Sequence, residues 1–161
     1  MTDDITIRTG TPDDMTEVMK LAIAAAEENG FLDASAELLA RAMWPALNQD
    51  HGLCGVIGAP QAPLEGFVLL HIGTMFYSTQ QCVEEKCVFV SPEYRSAKGG
   101  RARRLCEFSK HVADTLDLPL LIGICSSSRT QAKVKLYTRL FGEPSGAYWL
   151  YRTKTGGHAV S

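Results

Sequence analysis

The sequence is informative first through what it lacks. Among its 161 residues no apolar run approaches the roughly 18 that a membrane-spanning helix requires, so no span is expected. The opening Met1-Thr2-Asp3-Asp4 is acidic and has neither the basic nor the apolar region of a secretion signal. The five cysteines, Cys54, Cys82, Cys87, Cys106 and Cys125, are odd in number, scattered and without a C-x-x-C pair. That pattern fits reduced thiols better than a disulfide framework or a zinc site, so a cytoplasmic protein without a metal is expected. An excess of one charge is missing as well: 16 basic residues stand against 18 acidic ones, a formal net charge of −2. Nothing electrostatic then argues for a nucleic-acid or membrane partner. Repeats, low-complexity tracts and linkers are absent, as are the G-x-x-x-x-G-K-[ST] phosphate loop and the G-x-G-x-x-G dinucleotide fingerprint.

What is present describes one ordinary globular domain, expected over residues 1–152, with a flexible tail at 153–161. Apolar residues make up 45% and charged ones 21%, enough to bury a real core. Ile5 and Ile7 alternate with polar neighbours and predict a short strand. Thr11-Pro12-Asp13-Asp14 spells a helix start, Met15, Val18, Met19, Ala22 and Ile23 recur at helical spacing, and Asn29-Gly30 stops the helix. A second helix is expected from 35 to 47 with Leu38, Leu39, Ala42 and Met43 inward, its last turn weakened by Pro45. Strands are predicted at 53–59, 66–77 and 82–90, and again at 118–125 and 147–151. The continuous apolar run at 118–125 reads as a strand buried on both faces. Helices are predicted after the glycine pair and at 130–140. An antiparallel meander followed by a strand–helix–strand crossover makes an α/β (α+β) fold: a mixed, mostly antiparallel sheet of about six to seven strands with helices on both faces.

Candidate chemistry concentrates where the strand at 82–90 runs into Gly99-Gly100 and a helix. Such a turn points several backbone N–H groups into one concavity, and the helix start adds partial positive charge, which together suit a pyrophosphate. A tight turn before a solvated basic helix face accounts for the same residues without a ligand.

Val90-Ser91-Pro92-Glu93-Tyr94-Arg95 and the glycine turn resemble the acetyl-CoA segment of the GNAT N-acetyltransferase superfamily, Arg/Gln-x-x-Gly-x-Gly/Ala. Arg95 matches the first position and Gly100 the last, while Lys98 stands where the family has its middle glycine. A second block, Lys135-Leu136-Tyr137-Thr138-Arg139-Leu140-Phe141-Gly142, is similar to the family's Leu-Tyr-x-x-x-Gly-Phe, with Phe and Gly exchanged. The order of elements resembles the family over residues 4–152. More faintly, the chain resembles small members encoded by bacteriophages.

The resemblance implies transfer of an acetyl group from acetyl-CoA to a primary amine by direct attack in a ternary complex. It implies that pantetheine pairs with the backbone of Val88, Phe89 and Val90. The pyrophosphate would rest on Arg95, Ser96, Ala97, Lys98, Gly99, Gly100 and Arg101, while Arg103 and Arg104 read as solvated surface. Glu84 stands where the family's strand-borne glutamate approaches the acetyl group, and it would serve as the general base. Strict alternation puts Glu84, Lys86, Val88 and Val90 on one face, and Glu85 on the other with Val83, Cys87 and Phe89. A cross-strand ion pair for Glu84, a water chain, or His71 and His111 are the alternatives. Tyr137 falls where the family keeps the acid that protonates the leaving thiolate, and its alternative is packing beside Leu136 and Leu140.

The acceptor side would be shaped by the first two helices, where Glu27, Glu28, Asp33 and Glu37 favour a cationic amine and Phe31 and Leu32 could line a pocket. A small-molecule or peptide amine is the partner expected, and a homodimer is left open. A non-catalytic acyl-CoA sensor or scaffold and a simple phosphate-binding module are the competing readings.

Overall fold

The computed structural model describes residues 5–95, 99–124 and 129–151. The first strand, β1 (Ile7–Thr9), leads through a single 3-10 turn at Pro12–Asp14 into α1 (Met15–Asn29). Polar chemistry fixes that junction. Arg8 donates two guanidinium hydrogen bonds to the Asp14 carboxylate at 2.7 and 2.8 Å, and a third, from Nε, to the Gly58 carbonyl at 2.8 Å. The Thr11 N–H donates to Asp14 Oδ2 at 2.9 Å, satisfying a helix-start amide that would otherwise be orphaned. Val18, Leu21, Ala22 and Ala25 form the buried stripe of α1, which ends as expected at Gly30, whose φ of +65° suits glycine.

Helix α2 (Ala36–Leu47) is capped by the Ser35 hydroxyl, which accepts from the Leu38 N–H at 3.3 Å. Pro45 does not end it, and the final turn forms around it. The buried face is rotated from the one predicted: Met43, Ala46 and Leu47 point inward with Leu39 partly covered, whereas Leu38 and Ala42 are exposed. Only the stripe Leu39-Met43-Ala46-Leu47 follows the i, i+4, i+7, i+8 spacing that reaches α1 and the sheet.

The sheet follows chain order. Strands β2 (Gly52–Ile57), β3 (Gly66–Thr74) and β4 (Gln81–Val90) continue antiparallel from β1, and β5 (Leu120–Ile122) pairs parallel to β4. The crossover between β4 and β5 is α3 (Arg101–Leu116), and α4 (Thr130–Phe141) follows β5. Helices α1 and α2 cover one face through Val18, Met43, Leu47, Phe67, Leu69 and Phe89. Helix α3 covers the other through Leu105, Val112 and Ala113 against Val68, Leu70, Val83 and Val90. The predicted mixed, mostly antiparallel architecture is therefore present.

Two expectations about its far edge are not met. Among the described residues the sheet has five strands, because residues 147–151 form none. Nor is β5 buried on both faces: it is three residues long, and Leu121 is 41% exposed. Pro119 and Gly123 flank it, so the ladder it offers is too short to carry a further strand. The tail at 153–161 lies outside the described residues. No described helix is long and apolar enough to cross a membrane.

One irregularity governs the site. Between β3 and β4 the register slips: Leu69 stands opposite Cys87, but Leu70 stands opposite Glu85, leaving Lys86 as an extra residue in a β-bulge. Opposed residues share a face, so the bulge reverses the alternation of β4 on passing Lys86. Glu85 therefore joins Val83, Val88 and Val90 on the α3 face, whereas Glu84 lies on the face of Cys87 and Phe89. That is the opposite of the grouping predicted from strict alternation.

Candidate active site

A cleft of about 780 Å³ opens where β4 and β5 part. Among the described residues the parallel pairing covers only Val83 to Glu85 on β4, so the strand beyond has no partner there. The Ser91 N–H donates to the Glu65 carbonyl at 2.9 Å, which sets the hydrogen-bonding parity of the β3–β4 pair. By that parity the Phe89 peptide groups face β3, and those of Val88 and Val90 turn toward the open side. The cleft thus has a wall of exposed strand backbone. Its end is the turn at Gly99 and Gly100, with φ values of +109° and +59° that L side chains rarely adopt. Among the described residues, a Cβ at Gly100 would meet only Arg103 Cβ, at 3.8 Å. Helix α3 then begins with no acidic residue in its first turn, leaving its amides and dipole available to an anion.

The predicted residues Glu84, Val88, Phe89, Val90, Arg95, Gly100, Arg101 and Tyr137 all line this one cleft. Gly99 lies beside it against Ile5, and Ser96, Ala97 and Lys98 fall outside the described residues. Two of the arginines already have protein partners. Arg95 donates from Nε to the Val90 carbonyl at 2.7 Å, pairs with Glu28 at 2.6 Å and stacks over the Phe89 ring. Arg101 pairs with Glu65 at 3.0 Å and lies over Tyr94. Both brace the walls of the cleft, while Arg103 and Arg104 are exposed, as solvated surface would be. His71 and His111 are exposed and do not line the cleft.

The two acids of β4 differ sharply. Glu84 is 43% exposed in its side chain and pairs with Lys86 at 2.9 Å, on its own strand rather than across the sheet. Glu85 is buried, and its Oε1 accepts a hydrogen bond from the Tyr137 hydroxyl at 2.8 Å. Among the described residues its other oxygen, Oε2, has no partner. Burial raises the Glu85 carboxyl to about 7, against the opposing effect of the Tyr137 hydrogen bond. Burial and the neighbouring carboxylate push the Tyr137 phenol well above its ordinary value, so the hydroxyl holds its proton at neutral pH. Sequence reasoning assigned Glu85 to the wrong face. The available signal was two adjacent acids in an apolar strand, one of which must point inward. It also missed Lys133, which lines the cleft one helical turn before Tyr137, and whose ammonium is pulled below its ordinary range by burial.

No family model and no curated protein matches the chain by sequence. Solved structures do. The aminoglycoside N-acetyltransferase AAC(6')-Iy in complex with CoA aligns at a TM-score of 0.70 and 16% identity, over 93% of this chain and 95% of its own. Ribosomal-protein-alanine N-acetyltransferase from Brucella melitensis biovar Abortus 2308 aligns at 0.67 and 14%, over 92% and 99%. The aminoglycoside antibiotic 6'-N-acetyltransferase AAC(6')-Ih from Acinetobacter baumannii aligns at 0.66 and 14%, over 94% and 99%. The fold is that of the GNAT acetyltransferases. The GNAT resemblance drawn from the two sequence blocks thus holds at the level of the whole fold, and nothing in these structures bears on the phage-encoded members.

Proposed function

We propose that the chain is an acetyl-CoA-dependent N-acetyltransferase, acting through a single domain at residues 1–152 on a small-molecule or peptide amine. The observation that carries this is convergence: open β4 backbone, the glycine turn and the Tyr137 hydroxyl all border one cleft. That the same fold is crystallised with CoA in an aminoglycoside N-acetyltransferase supports it. The Val88 peptide groups and the N–H of Val90, whose carbonyl is taken by Arg95, would hold the pantetheine arm. The amides from Gly99 to Arg101, and the residues just before them, would hold the pyrophosphate. The amine nitrogen attacks the thioester carbonyl, the C–S bond breaks, and Tyr137 gives its proton to the departing thiolate. Glu84, at the exposed rim, is the group that takes the amine proton.

The acceptor is read as a cationic amine of small size. Of the acids expected to draw it, Glu28 is bound by Arg95 and Glu37 by Arg41. Acetyl-CoA is expected to stabilise the protein by about 2.7 kcal/mol at a concentration 100 times Kd. Gly100→Val should remove most of that gain, because the branched side chain is strained at a positive φ and would stand where the phosphate must approach the backbone. Thiol release with a panel of amines tests the transfer itself. Binding without transfer would make the protein an acyl-CoA sensor, and no binding would end both readings.

A further inference from the structure

The Tyr137 hydroxyl has one proton and two places to send it. With Glu85 ionised, the hydroxyl donates to Oε1, which is the bond observed at 2.8 Å. The proton is then committed to Glu85, at the back of the cleft, and is not offered to a leaving group. With Glu85 protonated, the carboxyl becomes a donor and the phenol oxygen its acceptor, which frees the phenol proton to point into the cleft. Because Oε2 is buried without a partner among the described residues, no second donor holds the carboxylate in its charged form.

We infer that Glu85 is a positioning residue for Tyr137, and that its protonation releases the Tyr137 hydroxyl proton from Glu85 for use in the cleft. This rests on the acetyltransferase reading only for the use made of that proton.

The surroundings allow the switch. Opposite Glu85, β3 presents Leu70 and β5 presents Ile122, both apolar. The polar groups that bear on it are Tyr137 from α4, Cys106 from α3 and Cys87 from its own strand, and the thiols of both cysteines are held protonated by burial. None of these is a cation, so among the described residues only the Tyr137 hydrogen bond opposes the burial of the carboxyl. The β-bulge at Lys86 is what delivers Glu85 to this position, since an unbroken strand would have turned it to the other face. In the transfer step the protonated Glu85 donates to the phenol oxygen while the phenol proton passes to the thiolate sulfur as the C–S bond breaks. The Glu85 proton follows along that hydrogen bond to the phenol oxygen, so the phenol is restored and Glu85 is left as the carboxylate, which regains a proton from solvent before the next cycle.

The experiment has two arms. In the first, carboxyl-labelled glutamate is followed by NMR across pH, with the Glu85 signal assigned by its loss in Glu85→Gln. Glu85 should titrate near neutral pH. In Tyr137→Phe its midpoint should rise further, because the lost hydrogen bond favoured the ionised form. In the second, kcat is followed with saturating acetyl-CoA and amine. The native protein should show a descending limb above neutral pH, about tenfold per pH unit, and Glu85→Gln should flatten it, since the amide can donate to the phenol oxygen at every pH. A Glu85 midpoint in the ordinary carboxylate range, or one that Tyr137→Phe does not move, overturns the inference, as does a limb that persists in Glu85→Gln. If the NMR coupling is found and no amine is acetylated, the pair stands and the acetyltransferase reading falls.

Discussion

Asp14 and Glu85 are both buried carboxylates, one at the head of α1 and the other at the back of the cleft, and their surroundings treat the charge in opposite ways. Asp14 receives a two-pronged guanidinium and a backbone amide, and the Arg8 hydrogen bonds hold it below the usual carboxylate range. Glu85 receives one phenol, leaves an oxygen bare among the described residues, and is raised to about 7. The first arrangement spends its polar atoms on closing the fold, because every lone pair that is satisfied fixes β1 against α1. The second leaves a buried group unsatisfied beside an open cleft, where an unsatisfied group is able to change state. Stability and chemistry are thus separated along the chain, and substitutions at each end should respond differently.

The largest effect is expected in the cleft. Tyr137→Phe keeps the ring and removes the hydroxyl, so folding should change little while kcat falls by about 10²–10⁴-fold, as for loss of a general acid. Acetyl-CoA affinity should stay within a few-fold, and a donor with a more acidic leaving thiol should recover part of the rate. Steady-state kinetics with both donors checks this, and near-native turnover would make Tyr137 a packing residue.

At the other pole, Asp14→Ala removes one partner of a buried ion pair. Chemical denaturation should show a loss near the lower end of about 3–5 kcal/mol, because Arg8 retains 23% exposure and can turn to water. The sign of the pH dependence follows from the depressed carboxyl. The pair contributes fully above the unfolded-state value, and that contribution is lost as pH falls through the lower folded-state value. Asp14→Ala should therefore flatten the acid side of the stability curve and leave the alkaline side alone. Acetyl-CoA binding should be unaffected, since neither Arg8 nor Asp14 lines the cleft.

How much of this was legible in the sequence depends on the range of the signal. The glycine turn, the α4 block with Tyr137, the cap at Thr11 and the stop at Gly30 are local patterns, and each sits in the element predicted for it. The failures are all non-local. Which stripe of α2 faces inward depends on what lies beneath it, and Leu38 is as apolar as Leu39. The run at 118–125 is apolar enough for a buried strand, but a strand is as long as the partner it finds, and here pairing ends at Ile122. The sharpest case is Glu84 and Glu85. Period-two reasoning assumes an unbroken ladder, and a bulge at Lys86 leaves no mark in the sequence while exchanging the faces that two adjacent acids share with the rest of the strand.

Glu85→Gln sharpens the contrast with Asp14, since its pH dependence runs the other way. A carboxyl raised from 4.5 to about 7 binds its proton more tightly when folded, so it costs nothing below the unfolded value and destabilises progressively as pH rises toward 7. Glu85→Gln should match the native protein at acid pH and exceed it at alkaline pH, by up to about 3 kcal/mol. Thermal unfolding across pH reads this without any substrate. A gain at acid pH too would mean that the substitution acts through packing.

The smallest stability effect belongs to Glu84, and there the result discriminates most finely. Its partner Lys86 is as exposed as it is, and an exposed pair contributes within about 1 kcal/mol, so Glu84→Gln should leave unfolding nearly unchanged. Its activity is another matter. If Glu84 takes the amine proton, Glu84→Gln should lower kcat and remove the acidic limb of the pH–rate profile, with acetyl-CoA affinity intact. Glu85→Gln should act on the opposite limb. The double variant then decides whether the acids act separately: limbs lost independently mean two groups with two tasks. If Glu84→Gln leaves kcat and the acidic limb untouched, the rim acid is only Lys86's partner. Deprotonation would then run through water, with Glu85 the one acid of β4 that the chemistry depends on.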